Sequence, residues 1–235
     1  METMTDKKIV IQTENVAKTY RESKIPVQAL KDVDLIVEEG EFTTIVGPSG
    51  SGKTTLLNII GGLDRPTQGT VIIGGTDISR LKESELIDFR LHHIGFVFQQ
   101  YNLIPVLTAK ENVEFIMLLQ KRSTQEMKER AMQLLREVGL EEKANVRPSE
   151  LSGGQQQRIA VIRALASRPK FILADEPTAN LDSASAGNLL DMMARMNREE
   201  GMTFIFSTHD QRVIDKARRV VTLEDGRIKH DEVRP

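Results

Sequence analysis

The sequence predicts an α/β fold built on a mostly parallel sheet, and three observations carry that prediction. Short apolar strand patterns alternate with helical patterns toward both ends of the chain, which implies parallel strands covered by helices. A glycine-rich loop, "GPSGSGKTT" at 47–55, lies directly between an apolar strand pattern and a helical one. Residues from about 81 to 166 read mostly as helix, so they form an insertion between two halves of one core.

Ile9–Thr13, Val33–Val37 and Phe42–Val46 are strands of apolar and β-branched residues. The glycine-rich loop follows the third, and a helix runs from about Lys53 to Ile60. "GGLDRPTQG" breaks the pattern with turn residues, and "TVIIGG" restores a strand. Past Ile78 the periodicity becomes helical. In "STQEMKERAMQLLREVGL", Ser123 and Glu126 form a capping box, Met127, Ala131, Leu134, Leu135 and Val138 are its apolar residues, and Gly139 ends the helix. Ser152 caps a further helix that runs to about Ser167. Strands return at Phe171–Ala174, Thr203–Phe206 and Arg219–Leu223, with helical patterns between them. There is no internal repeat and no low-complexity segment.

Bulk properties exclude several classes. Lys plus Arg is 32 and Asp plus Glu is 34, a formal charge of −2, so bulk charge gives no footing for nucleic-acid binding. The chain has no cysteine, which rules out a disulfide framework and a thiolate metal site. No apolar run approaches the roughly 18 residues of a membrane span, and "METMTDKKIV" lacks the apolar stretch of a secretory signal. Service to a membrane would therefore run through a partner, without direct insertion.

The composition of the loop follows from the chemistry of a polyphosphate. Gly47, Pro48, Ser49, Gly50, Ser51, Gly52, Lys53 and Thr54 match G-x-x-x-x-G-K-[ST]. Several backbone N–H groups must reach phosphate oxygens at once, and a Cβ would obstruct them. The helix that follows, with Thr55 in its first turn, presents its positive end to the same anion. Lys53 supplies a mobile charge for the β- and γ-phosphates, and the Thr54 hydroxyl suits Mg²⁺. A dinucleotide fingerprint fails, because Gly50-x-Gly52 would need a glycine where Thr55 stands.

A second acidic site lies in "FILADEPT", where Asp175 and Glu176 end an apolar run. Adjacent carboxylates at the mouth of a buried strand repel, and a divalent cation with ordered water relieves that. Asp175 is assigned to the metal and Glu176 to general base. "LSGGQQQR" at 151–158 then provides a second anion-binding helix start. One nucleotide saturates the first loop, so the second start needs another purpose. A head-to-tail dimer, in which each copy covers the other's γ-phosphate, uses both.

With these residues in hand, the chain resembles the ATP-binding cassette ATPases, the nucleotide-binding subunits of ABC transporters. "LSGGQ", Leu151–Gln155, matches that family's signature without departure. Five motifs in order cover about residues 8–230. The resemblance implies that Tyr20 stacks on adenine, that Gln99 contacts Mg²⁺ and signals to the permease, that Ala179–Asp182 couples the two sites, and that His209 is the switch on the γ-phosphate. Gln99 and Gln100 compete for one role, and Gln99 is taken because it directly follows the Phe96–Phe98 strand. Asp182 also reads as a cap for a helix starting near Ser183. Phe115–Leu119 reads either as core or as the lining of a groove for a permease helix.

The resemblance further implies a P-loop NTPase core with a mostly parallel sheet, an N-terminal antiparallel β subdomain and an inserted α-helical subdomain. All belong to one domain over 1–235, with the core at about 1–88 and 167–235 and the helical insertion at about 89–166. ATP and Mg²⁺ are the implied cofactors. The implied partners are a second copy of the chain, contributing Ser152, Gly153, Gly154 and Gln155, and an integral-membrane permease. "GPSGSGKTTLLNIIGGLDRPTQG" and "GFVFQQYNLIPVLTAKENVEF" are most similar to the lipoprotein-release and macrolide-exporter type, which implies a cytoplasmic subunit held at the inner face of the cell membrane. A cassette ATPase of a non-transport system such as cell division is the alternative. A nucleotide sensor without turnover is a third class, and the intact Glu176 and His209 oppose it.

Overall fold

A computed structural model describes residues 8–21 and 25–234. The first seven residues, which begin the stretch read as lacking a secretory signal, lie outside the described residues. Two long strands open the fold, β1 (Ile9–Tyr20) and β2 (Val27–Glu38). They pair antiparallel with several register shifts, and Asn15 and Asp32 take left-handed φ values of 49° and 48°. These irregularities let β1 run through Glu14 and Asn15, past the end expected at Thr13.

β3 (Phe42–Val46) leads through the glycine-rich loop into α1 (Lys53–Ile60), as expected. β4 (Gln68–Ile73) and the two-residue β5 (Thr76–Asp77) complete one sheet in the order β2-β1-β4-β5, antiparallel throughout. α2 (Glu83–His93) precedes β6 (Ile94–Val97), which lies within the stretch read as helical insertion yet pairs with the main sheet. The helical block follows: α3 (Ala109–Leu119), α4 (Thr124–Glu137) and α5 (Gly153–Ala166). β7 (Phe171–Asp175), α6 (Ser183–Glu200), β8 (Thr203–Ser207), α7 (Gln211–Lys216), β9 (Arg219–Glu224) and β10 (Arg227–Val233) complete the chain.

The main sheet has the order β10-β9-β3-β8-β7-β6 and is parallel from β9 to β6. Its inner strands are buried on both faces, which is why they read as unbroken apolar runs and not as alternating ones. One core lies between this sheet, α1 and the antiparallel sheet, around Ile11, Leu30, Ile45, Leu56, Ile59, Phe171 and Ile205. The other lies on the opposite face and joins Phe204 and Phe206 to Val113, Leu134, Leu135, Ile159, Ile162, Leu189 and Met193. Burial of such side chains contributes about 1.5–3 kcal/mol each.

Two local expectations change. The Ser123 hydroxyl accepts the Glu126 N–H at 3.2 Å, but the Glu126 carboxylate lies 3.5 Å from the Arg122 guanidinium. The predicted capping box is thus half made, because a cation competes for its acid. The edge strand β10 had no place in the sequence reading. It turns back through Asp225 (φ 46°) and Gly226 (φ 76°), a two-residue hairpin loop.

Parallel strands deliver their loops to one edge. The carboxyl ends of β3, β8, β7 and β6 lie side by side in that order, and ligands of open α/β sheets bind at that edge.

Candidate functional site

The loop after β3 is held by backbone contacts from outside it. Gly226 in the β9–β10 turn donates to the Ser51 carbonyl at 3.1 Å, and Ser51 donates to the Pro48 carbonyl at 3.2 Å. At Gly52 the chain is left-handed (φ 104°), and a Cβ there would stand 2.5 Å from the Ala29 carbonyl oxygen. Only glycine allows that approach. Lys53 curls back, its Nζ donating to the Gly47 carbonyl at 2.8 Å and the Pro48 carbonyl at 3.0 Å. Pro48, Ser49 and Gly50 are all exposed.

A phosphate and a hard cation both fit these residues. α1 begins on Gly52 with no side-chain cap and no acid in its first turn, so its leading N–H groups suit an anion. The Thr54 hydroxyl lies 3.1 and 3.3 Å from the two Asp175 oxygens, across 121 residues of sequence. A hydroxyl and a carboxylate meeting from a helix start and a strand end make an all-oxygen donor set, which suits Mg²⁺.

Glu176 follows Asp175 in a left-handed conformation (φ 47°), uncommon for a non-glycine residue. Its N–H donates to the Ser207 carbonyl at 2.8 Å, and its side chain is mostly buried. Oε2 accepts from the Thr208 hydroxyl at 2.8 Å, and Oε1 lies 2.7 Å from His209 Nδ1. Opposite an ionised carboxylate, Nδ1 carries the proton and donates. The His209 side chain is 79% exposed, so this bond is free to exchange for another.

Asp210 sits behind them. It accepts from the Thr178 hydroxyl at 2.7 Å, from the Arg212 N–H at 2.9 Å and from the Arg212 guanidinium at 2.7 Å. The Arg212 bonds outweigh burial and, with Thr178, lower its pKa to about 2.

Tyr20 and Gln99 are carried by other elements. Tyr20 closes β1 in the antiparallel sheet, where its hydroxyl donates to Asp64 at 2.8 Å and Lys18 Nζ lies 4.9 Å from its ring. Burial opposes the charge on Asp64, but bonds from Lys18 and Tyr20 hold its carboxyl below the usual range. Gln99 and Gln100 are exposed beyond β6, and the Gln99 carbonyl accepts from Asn180 at 2.9 Å.

α5 starts differently from α1. Ser152 accepts the Gln155 N–H at 3.3 Å, and the Gln155 side chain accepts the Ser152 N–H at 3.0 Å. A Cβ on Gly154 would meet Ser185 Oγ at 2.7 Å. Asp182 caps α6, accepting from the Ala184 and Ser185 N–H groups at 3.0 Å, and its pKa is lowered by the Ser185 side-chain hydrogen bond first, then by these backbone bonds. Among the described residues no hydrogen bond joins Ser152–Gln155 to the Gly47–Thr55 loop.

Thr178, Thr208 and Asp210 escaped the sequence reading. Their only signal was position, flanking Glu176 and His209 with residue types that bond locally.

A protein-family model described as "ABC transporter" matches residues 30–179. MJ0796 of Methanocaldococcus jannaschii, an uncharacterized ABC transporter ATP-binding protein, is 47% identical over 227 residues, 95% of this chain and 97% of its own. YvrO of Bacillus subtilis, also an uncharacterized ABC transporter ATP-binding protein, is 47% identical over 93% of this chain and 95% of its own. The dimeric structure of MJ0796 in a post-hydrolysis state bound to ADP and Pi has a TM-score of 0.88 at 46% identity, covering 95% of this chain and 98% of that one.

Proposed function

This chain belongs to the ABC transporter ATP-binding family, and from that premise we propose that two copies hydrolyse ATP head to tail and drive a separate membrane permease. The chain is an ATPase of the cassette type, with ATP as substrate and Mg²⁺ as its metal. In the proposed pocket one copy supplies Gly47–Thr55 as the phosphate cradle, Tyr20 against adenine, Gln99, Asp175, Glu176 and His209. The other copy supplies Ser152, Gly153, Gly154 and Gln155, and Asp182 lies in the loop that couples the sites. Mg²⁺, held by Thr54, Asp175 and Gln99, would neutralise charge on the phosphates. Glu176 takes the proton of the attacking water, and Lys53 and the α1 N–H groups stabilise charge at the phosphates.

The observation that carries this reading is the meeting of Thr54 with Asp175, at 3.1 Å, one residue before Glu176. It supports a phosphate grip after β3 and a base after β7 at one edge of the sheet, with β8 between the two strands. The dimer is supported by the dimeric MJ0796 structure with ADP and Pi.

No helix among the described residues is long and apolar enough to cross a membrane. A groove beside β6 is lined by Phe96, Phe98, Ile104, Phe115 and Ile116, and Leu118 and Leu119 are exposed nearby. Met117 of the same stretch is core. We place a cytoplasmic-side permease helix there, and with it a subunit held at the inner membrane face. The lipoprotein-release or macrolide-exporter role rests on the loop sequences alone. Copurification with a permease of that kind supports it, and copurification with a division component favours the alternative.

The test is Glu176→Gln. Turnover falls by about 10²–10⁴-fold, the typical contribution of a general base, while ATP binding persists and an ATP-bound dimer accumulates on size exclusion. Wild-type phosphate release by this variant removes Glu176 from the base role.

A further inference from the structure

Two loops that leave neighbouring strands do not share a fixed geometry unless something crosslinks them. Pairing between β7 and β8 ends at Asp175 opposite Ser207, and one backbone bond extends it, from the Glu176 N–H to Ser207. Beyond that, side chains hold the loop at 176–178 against the loop at 208–210. Thr208 donates to Glu176 Oε2 at 2.8 Å, and Thr178 donates to Asp210 Oδ2 at 2.7 Å. The Thr208 oxygen also accepts the Asp210 N–H at 3.0 Å. Thr208 and Thr178 are 0% and 1% exposed.

The ring is closed and every bond in it has a direction. A hydroxyl has one proton to give. Thr208 gives its proton to Glu176 and takes one from the Asp210 backbone, while Thr178 gives its own to Asp210. Arg212 holds the Asp210 carboxylate through its Nε at 2.9 Å and its Nη2 at 2.7 Å. Asp210 is therefore an anchored acceptor, and neither threonine can rotate without losing a bond. His209, the other partner of Glu176, is exposed. It can move toward substrate while Thr208 stays, so the lasting support of the carboxylate is Thr208.

We propose that Thr208, Thr178 and Asp210 are positioning residues for hydrolysis, which lock the two loops together and hold the Glu176 carboxylate in one orientation toward the attacking water. The inference rests on the reading of Glu176 as base. None of the three need touch ATP, so their loss acts on turnover and not on nucleotide affinity.

The experiment measures steady-state phosphate release and ATP affinity of the full chain, with Glu176→Gln in parallel. Thr208→Val lowers kcat about 10–100-fold with KM for ATP within about twofold, because a small misplacement of a catalytic group costs up to about 10²-fold. Thr208→Ser, which keeps the proton, restores kcat to within about threefold of wild type. Thr178→Val acts one bond further out and lowers kcat about 3–10-fold, again with KM held, and Thr178→Ser restores it. Thr178→Val also serves if Thr208→Val does not fold. Wild-type kcat in the valine variants overturns the proposal. So does a loss that serine fails to restore, or one matched by an equal rise in KM. If Glu176→Gln turns over like wild type, the base reading falls and the frame with it. If Glu176→Gln is inactive while the valine variants are normal, only the frame falls.

Discussion

Two helices of this molecule begin on glycine-rich sequence, and they begin in opposite ways. α1 starts on left-handed Gly52, and no side chain caps it. α5 starts on Ser152 in extended backbone (φ −65°, ψ 159°), with a reciprocal capping box to Gln155. Every helix leaves its first N–H groups without partners inside the helix. In α1 they are offered to an acceptor from outside, and a polyphosphate can meet several at once. In α5 the Gln155 N–H and the Ser152 N–H are already answered, so this start keeps its shape alone. A surface that must meet a pocket on another molecule benefits from being finished in advance. The first start is built to be completed by a ligand, and the second to be carried to one.

The largest effect that would test this contrast is at Gly52. An alanine there must adopt φ 104° with its Cβ 2.5 Å from one carbonyl and 2.9 Å from Leu30 Cδ2. Strain and overpacking of this kind cost about 2–4 kcal/mol. Gly52→Ala should lose nucleotide affinity by about 10²-fold or more, since about 2.7 kcal/mol corresponds to that factor. Titration with a fluorescent nucleotide reads it. Wild-type affinity would mean that the shape of the α1 start does not matter to the ligand.

Ser152 comes next and separates the two starts. Ser152→Arg should stop ATP-dependent dimerisation in sedimentation while a single copy binds ATP as before. Ser152→Ala removes only the cap, worth about 1 kcal/mol of stability, read by urea unfolding. A drop in ATP affinity of the isolated Ser152→Ala copy would place both starts in one site and erase the distinction.

Legibility from sequence followed the same division. The Gly47–Thr54 loop and α1 were readable because glycine spacing and strand–helix context report a local demand on the backbone. The Ser152 cap was readable for the same reason, since its partner Gln155 is three residues on. Meetings across the fold were not readable from spacing. Asp175 and Thr54 are brought together by the order of strands in the sheet, and the pairing of Thr178 with Asp210 depends on β7 and β8 being neighbours. β10 was missed for another reason. Its exposed, charged residues give no apolar pattern, although Asp225-Gly226 was a hairpin signal in plain view.

A third helix start supplies the smallest effect and sharpens the contrast, because its cap titrates. Asp182 caps α6 through the Ala184 and Ser185 N–H groups, and the Ser185 side-chain hydrogen bond, together with those backbone bonds, holds its carboxyl below its ordinary value of 3.8. A lowered folded pKa stabilises the fold above the unfolded value and ceases to as pH falls through the folded one. The substitution Asp182→Asn would keep an oxygen for the same bonds without a charge, and asparagine caps about as well as aspartate. The stability difference between wild type and Asp182→Asn should therefore be constant above about pH 5 and change only as pH drops below about 4. Other carboxylates titrate in both proteins and cancel in the difference. Ser152 has no charge to lose, so the difference between wild type and Ser152→Ala should stay flat over that range. Urea midpoints across pH measure both. A sloping Ser152→Ala difference would mean that the α5 start is tied to a titrating neighbour, and that it is not finished on its own after all.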